Sequence, residues 1–160
     1  MTAGPKKAAD TSVLLFESDL IGAERFRAWC EPFLIVPKGR GAGEPMRLRG
    51  WQVDMLRPFL DPDPRPVVGA IMGPRGLGKT GIFAALGLYE TFNGPEGNEI
   101  PIVAVDERMA IRLLTPAAQM VALNPELASR AVVYRDRIEV PGKRSTLMAL
   151  PAEAKRIERL

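Results

Sequence analysis

Val67-Val68-Gly69-Ala70-Ile71-Met72 followed by Gly73-Pro74-Arg75-Gly76-Leu77-Gly78-Lys79-Thr80 is the stretch of this chain whose reading decides the fold. Its first six residues are a short apolar run without alternation, which predicts a strand buried on both faces. The next eight match the pattern G-x-x-x-x-G-K-[ST] in full, at Gly73, Gly78, Lys79 and Thr80. From Lys79 to Phe92, apolar residues at Ile82, Phe83, Leu86 and Tyr89 predict a helix. Asn93-Gly94-Pro95-Glu96-Gly97 ends that helix, and Ile100 to Val105 predicts a second buried strand. Strand, helix, strand is the crossover unit of a parallel sheet, so the expected class is α/β.

The loop has a chemical reason for its composition. A triphosphate must be wrapped by backbone amides at close range. Glycines permit positive φ and remove the Cβ atoms that would block the phosphate oxygens. The helix that follows aims its free amides and positive dipole end at the same place. Lys79 is placed to reach the β and γ phosphates, and the Thr80 hydroxyl to complete a Mg²⁺ shell. Pro74 has no amide and must sit early in the loop. A glycine-rich turn can match the pattern by chance, but an apolar strand before it and an apolar helix after it set this match apart. Gly73, Pro74, Arg75, Gly76, Leu77, Gly78, Lys79 and Thr80 are therefore the candidate cofactor-binding residues, with ATP and Mg²⁺ as the ligands. Lys79 is a candidate catalytic residue, and Thr80 is the candidate metal ligand.

Working outward, Met1 to Asp10 is polar and expected to fray, and its two lysines are followed by no apolar stretch with a cleavage site, so it does not read as a signal peptide. Thr11 to Cys30 reads as a helix through Val13, Leu14, Leu20, Ile21, Phe26 and Trp29. Glu31 to Pro45 turns to Pro, Gly and basic residues, with Pro37 to Gly43 as an exposed loop. Residues 1–45 thus form a helical extension with a basic loop, and 46–160 the partial nucleotide-binding domain. Met46 to Leu60 is helical again, until Asp61-Pro62-Asp63-Pro64-Arg65-Pro66 stops it. Beyond the second strand, Glu107 to Leu123 is helical with an expected kink or break at Pro116. Val132 to Val140 reads as a hairpin around Arg135-Asp136, Ser145 to Leu150 as a strand, and Glu153 to Leu160 as a last helical turn or two.

Composition narrows the chemistry. The 160 residues include no histidine, which removes His-activated nucleophiles and His metal sites. A single cysteine, Cys30, excludes an internal disulfide, suits a reducing cytoplasm and reads as an apolar filler. No window is long and apolar enough for a membrane span. The 19 acidic residues show no cluster suited to a two-metal nuclease site. A net charge of +3 is compatible with nucleic acid but does not select it.

In order and spacing, these motifs resemble the N-terminal part of the ATPase domain of phage terminase large subunits, the DNA-packaging motors. The similarity runs over about residues 25 to 160. It is carried by Gly43-Glu44-Pro45-Met46-Arg47-Leu48-Arg49-Gly50-Trp51-Gln52, the glycine loop, Asn124-Pro125-Glu126-Leu127, Tyr134 to Pro141 and Ser145 to Leu160. The fold implied is a P-loop three-layer sandwich with a mostly parallel sheet, incomplete at its C-terminal side, because the acidic Walker B strand and the nuclease domain of that family lie beyond residue 160. By the same resemblance Gln52 reads adenine, where a carboxamide donates to N7 and accepts from the N6 amino group, and Arg75 is a second catalytic candidate, sensing the γ phosphate. Trp51 reads as core. Lys38, Arg40, Arg47 and Arg49 are candidates for touching DNA phosphates. The implied partners are double-stranded DNA, a portal protein and a small terminase subunit, with a homo-oligomeric ring when complete, in the host cell cytoplasm.

One feature admits two readings. Asp106-Glu107 after Ile102 to Val105 imitates a Walker B pair, which would suit a compact stand-alone NTPase or nucleotide kinase using Asp106 for Mg²⁺. The resemblance instead makes these carboxylates a strand end and helix start, so that hydrolysis by this chain alone is doubtful. A non-catalytic remnant needing a complementing chain is the third alternative.

Overall fold

The structure is a computed structural model that describes residues 8–152. The helical turns expected within 153–160 lie outside the described residues, as does most of the Met1 to Asp10 segment.

Helix α1 covers Gly22–Phe33, and buries Ala23, Phe26, Trp29 and Cys30 on one stripe. It starts well after the expected Thr11, because Val13, Leu20 and Ile21 stay at the surface and give no second turn a face to bury. Its first turn is held instead by Asp61, whose Oδ1 accepts from the Ala23 amide at 2.8 Å. Helix α2, Gly50–Leu60, buries Val53, Leu56 and Leu60. Arg57 of α2 donates to Glu24 of α1 at 2.6 Å and also reaches Asp54 and Asp61, tying the two helices at their rim. Trp51 was expected in the core but is 43% exposed, since the buried stripe of α2 passes through Val53, two residues on, and leaves position 51 outside.

Helix α3, Lys79–Asn93, is the centre of the molecule. It buries Ile82, Ala84, Ala85, Leu88, Tyr89 and Phe92, close to all round, as a helix covered on two sides must. On one side its Tyr89 and Phe92 meet Trp29, and Tyr89 also meets Phe26 edge-on at 5.3 Å between centroids. The other side faces the sheet. There Gly87 permits close approach, because a Cβ on it would stand 3.0 Å from Leu147 Cδ1.

The sheet comprises β1 (Glu99–Ala104), β2 (Val132–Val133), β3 (Arg137–Val140) and β4 (Ser145–Pro151), in the order β1-β4-β3-β2. β1 and β4 are parallel, with Ile100 opposite Leu147 and Ile102 opposite Ala149. β3 runs antiparallel to both β4 and β2. The hairpin and the strand at Ser145 are where the sequence puts them. The sheet of the described residues is mixed rather than mostly parallel, because β4 gains its second neighbour from a hairpin.

The larger correction concerns Val67 to Met72. This run forms no strand, and Val67 and Met72 are 99% and 94% exposed. A strand exists by its ladder, and no described strand lies beside this run to provide one. β1 pairs with β4 alone and is an edge strand of the described sheet, with Val103 and Val105 exposed where a buried strand was expected.

Helix α4, Glu107–Leu123, runs through Pro116 as one helix. Pro116 is buried with Ala110, Leu114, Ala117, Met120 and Val121, and this packing outweighs the missing amide. Helix α5, Pro125–Arg130, follows at once. Asn124 makes the corner. Its Oδ1 accepts from the Glu126 and Leu127 amides at 2.8 and 3.4 Å, while its Nδ2 donates to the Phe33 carbonyl at 2.8 Å. One buried side chain thus caps α5 and ties it to the end of α1. Asn124→Ala removes the cap and strands the Phe33 acceptor, and is expected to lower unfolding free energy by about 2 kcal/mol, measured by urea denaturation. Asn124→Asp, which keeps the cap but loses the donor, should fall between.

Candidate nucleotide-binding loop

The path into the loop is fixed at its base. Arg65 Nη1 donates to Glu90 Oε1 at 2.8 Å, beside the last turn of α3. The chain then travels back along α3 to reach its first turn at Lys79, the path of a strand that feeds a crossover helix. Gly69 passes so close to the Phe59 ring of α2 that any Cβ there would enter the ring. The apolar run thus touches α2 at Gly69, while its side chains from Val67 to Met72 stay largely exposed and it has no ladder. Arg65, Glu90 and Phe59 were not singled out in the sequence. The Pro-rich segment that carries Arg65 read only as a helix stop.

The loop itself is curled. Gly76 and Gly78 have φ of 90° and 75°, left-handed values that any Cβ would strain. Leu77 folds back toward the start, so that a Cβ on Gly73 would meet Leu77 Cδ1 at 2.8 Å and lie 3.9 Å from Lys79 Nζ. Lys79 Nζ closes the ring by donating to the carbonyls of Gly73 and Pro74, both at 2.7 Å. Gly78 is the N-cap of α3, and the first intrahelical bond runs from the Ile82 amide to its carbonyl at 3.0 Å. The amides of Lys79, Thr80 and Gly81 are therefore the free donors of this helix end. The loop is exposed, with Arg75 at its outer turn and Thr80 at the surface.

Gln52 comes to the same place from α2. Its Oε1 accepts from the Arg49 amide at 2.9 Å, as the third residue of a helix often does for its cap. Its Nε2 faces the loop, 3.9 Å from where a Gly78 Cβ would stand. The amide end thus remains available toward the loop, and the oxygen keeps a second lone pair.

Asp106 is elsewhere in role. Its Oδ1 accepts from the Met109 amide at 2.7 Å and caps α4, the use expected of a carboxylate at a helix start. Among the described residues no group of three or more Asp, Glu, Cys or His side chains is placed to hold a metal. Cys30 is fully buried and desolvation pushes its thiol up, so it is a filler and not a nucleophile. Among the described residues no helix is long and apolar enough to cross a membrane.

No family model matches the chain. It is 35% identical over 107 residues to the terminase large subunit of Enterobacteria phage HK97, a match that takes in 65% of this chain and 21% of that protein. The crystal structure of the HK97 bacteriophage large terminase superposes on 84% of this chain and 28% of its own, with a TM-score of 0.73 and 27% identity. The chain thus spans about a quarter of the length of these relatives. Sequence and fold point to the same protein, and the chain is similar to one section of a phage terminase large subunit.

Proposed function

We propose that this chain is the ATP-binding section of a terminase large subunit, acting in the packaging of double-stranded DNA into a phage head in the host cell cytoplasm. The observation that carries the proposal is the curled loop, in which Gly73, Gly78 and Lys79 converge at the free amides of α3. The residues fit a triphosphate chemically. Gly73 and Gly78 leave the room a Cβ would fill, and the free amides and the Lys79 ammonium supply donors and positive charge. Bound Mg²⁺·ATP would supply a cleavable phosphoanhydride. Around it Lys79 would exchange its two carbonyl acceptors for phosphate oxygens, Thr80 would offer its hydroxyl to the metal, and Arg75 would bring charge to the γ phosphate. Gln52, whose Nε2 faces the loop near Gly78, would read the adenine base.

The finer fold reading is a P-loop three-layer sandwich. Two features support it: the exposed apolar run Val67 to Met72 without a ladder, and the outer edge of β1, which has no partner strand among the described residues. Each is a place where a fuller parallel sheet would add strands, including one bearing the acidic pair. The use of Asp106 as its own capping group argues against a stand-alone NTPase built on that carboxylate. A portal protein, a small terminase subunit and a ring of copies are the partners that go with the motor reading.

Calorimetric titration with Mg²⁺·ATP tests the proposal. One site per chain is expected, weakened when EDTA removes the metal. No heat and no competition with a fluorescent ATP analogue at millimolar nucleotide would reject it.

A further inference from the structure

Between α1 and α2 the chain makes a small ribbon that the nucleotide site does not use. Ile35 pairs with Pro45 as an antiparallel bridge. Val36 donates to Glu44 at 2.9 Å, Gly43 to Val36 at 2.9 Å, and Met46 to Leu34 at 2.8 Å. Across the tip, Ala42 donates to Gly39 at 3.1 Å and Glu44 to Gly41 at 3.0 Å. The expected loop is therefore a built turn. Gly39, Gly41 and Gly43 hold φ of 84°, 84° and 86°, which only glycine takes without strain.

Two facts give this tip a ligand chemistry. A Cβ on Gly39 or Gly43 would meet nothing within 4 Å, so the backbone there is bare on its outer side. The amides of Gly39, Arg40 and Gly41 donate to no acceptor among the described residues. Alternating left-handed glycines with free amides are the setting in which backbone forms anion-binding concavities. Lys38 precedes these amides and Arg40 lies among them, and both side chains are exposed with no ion pair among the described residues. The other cations nearby are differently placed. Arg47 is committed to Glu31 at 2.7 Å, and Arg49 lies at the start of α2. The one carboxylate at the ribbon is Glu44, whose Oε2 would be 3.8 Å from a Cβ on Gly41.

We propose that the tip Lys38 to Gly41 is a phosphate grip on duplex DNA, with Lys38, Arg40 and the bare backbone between them contacting the strand without reading bases. This rests on the packaging role for DNA as the partner, and narrows the four cations expected from sequence to two. Amides and a guanidinium together match a phosphate oxygen cluster better than a lone carboxylate, which favours nucleic acid over an acidic protein.

The test is binding of a fluorescent random-sequence duplex to the full chain across a salt series. The double variant Lys38→Ala/Arg40→Ala is expected to bind at least tenfold more weakly, with the slope of log affinity against log salt reduced by about 2. Arg47→Ala is expected to bind as the unmodified chain does. An unchanged slope in the double variant overturns the proposal. So does an equal loss in Arg47→Ala, which would mean generic charge, or polyglutamate binding as tightly as DNA, which would mean an acidic partner. Mg²⁺·ATP titration of the same samples separates the two readings. Nucleotide binding without DNA binding at 50 mM salt removes the grip alone, a salt level chosen as roughly the low end of such assays.

Discussion

Trp29→Ala is expected to lower the free energy of unfolding by about 3–5 kcal/mol, the largest stability effect of any single truncation in this chain. The indole is fully buried on α1. It lies 5.5 Å from the Phe33 and Tyr89 rings and 6.4 Å from Phe92, so it joins α1 to the central helix α3. Truncation removes the transfer energy of a large side chain and leaves a cavity between two helices that cannot both collapse into it. A loss of that size is a large share of the ~5–15 kcal/mol that holds a typical domain. The Trp29 Nε1–H has no acceptor among the described residues, which is itself a cost of burial. Trp29→Phe discards that unpaired donor along with some volume, and the two effects oppose each other. Its net change is expected within about 1 kcal/mol. Urea denaturation of the two variants checks both, with the midpoint moving at constant slope. A loss below about 1 kcal/mol in Trp29→Ala would mean that α1 is not part of the cooperative core.

What was legible in the sequence, and what was not, follows from where the deciding neighbours lie. The helix after the glycine loop was legible because its apolar residues and the loop's glycines are adjacent in sequence. The same holds for the hairpin at Val132 to Val140, where Arg135-Asp136 separates two short apolar arms. Val67 to Met72 was misread because an apolar run states that a segment prefers burial and not that a partner strand is beside it. Trp51 was misread for a related reason. Its side chain is apolar, but one residue along a helix turns the direction by about 100°, and Val53 and Leu56 set the buried stripe. Asn124 was noticed only within a resemblance, although asparagine before proline at a helix start is a capping signal in its own right. Its second bond, to Phe33, joins residues 91 apart and leaves no trace in local pattern.

At the loop, the resemblance and the residue chemistry pointed to the same eight positions, and the geometry adds how they are held. The structure brings Gln52 to Gly78, which spacing alone does not show, since a proline-rich stretch separates the two. It leaves Asp106 capping α4 through the Met109 amide.

Lys79→Ala and Gly73→Val are expected to weaken Mg²⁺·ATP binding about 100-fold or more, by different routes. Lysine supplies charge-assisted hydrogen bonds, each worth roughly 1.5–3 kcal/mol to a charged acceptor, and 100-fold is about 2.7 kcal/mol. Its present acceptors, the carbonyls of Gly73 and Pro74, are exposed, so truncation costs the fold no more than about 1 kcal/mol. Gly73→Val keeps the ammonium and instead fills the curl. Its Cβ would stand 2.8 Å from Leu77 Cδ1, and the branched methyls lie further into the same space. Leu77 must swing out and the loop must open, which separates Lys79 from the start of the loop. The loop is at the surface, so the urea midpoint should hardly move in this variant either. Loss of binding with stability retained in both variants requires that charge and curl act on one ligand. If Gly73→Val binds as the unmodified chain does while Lys79→Ala does not, lysine is acting as a lone surface charge and the loop is not a phosphate cradle.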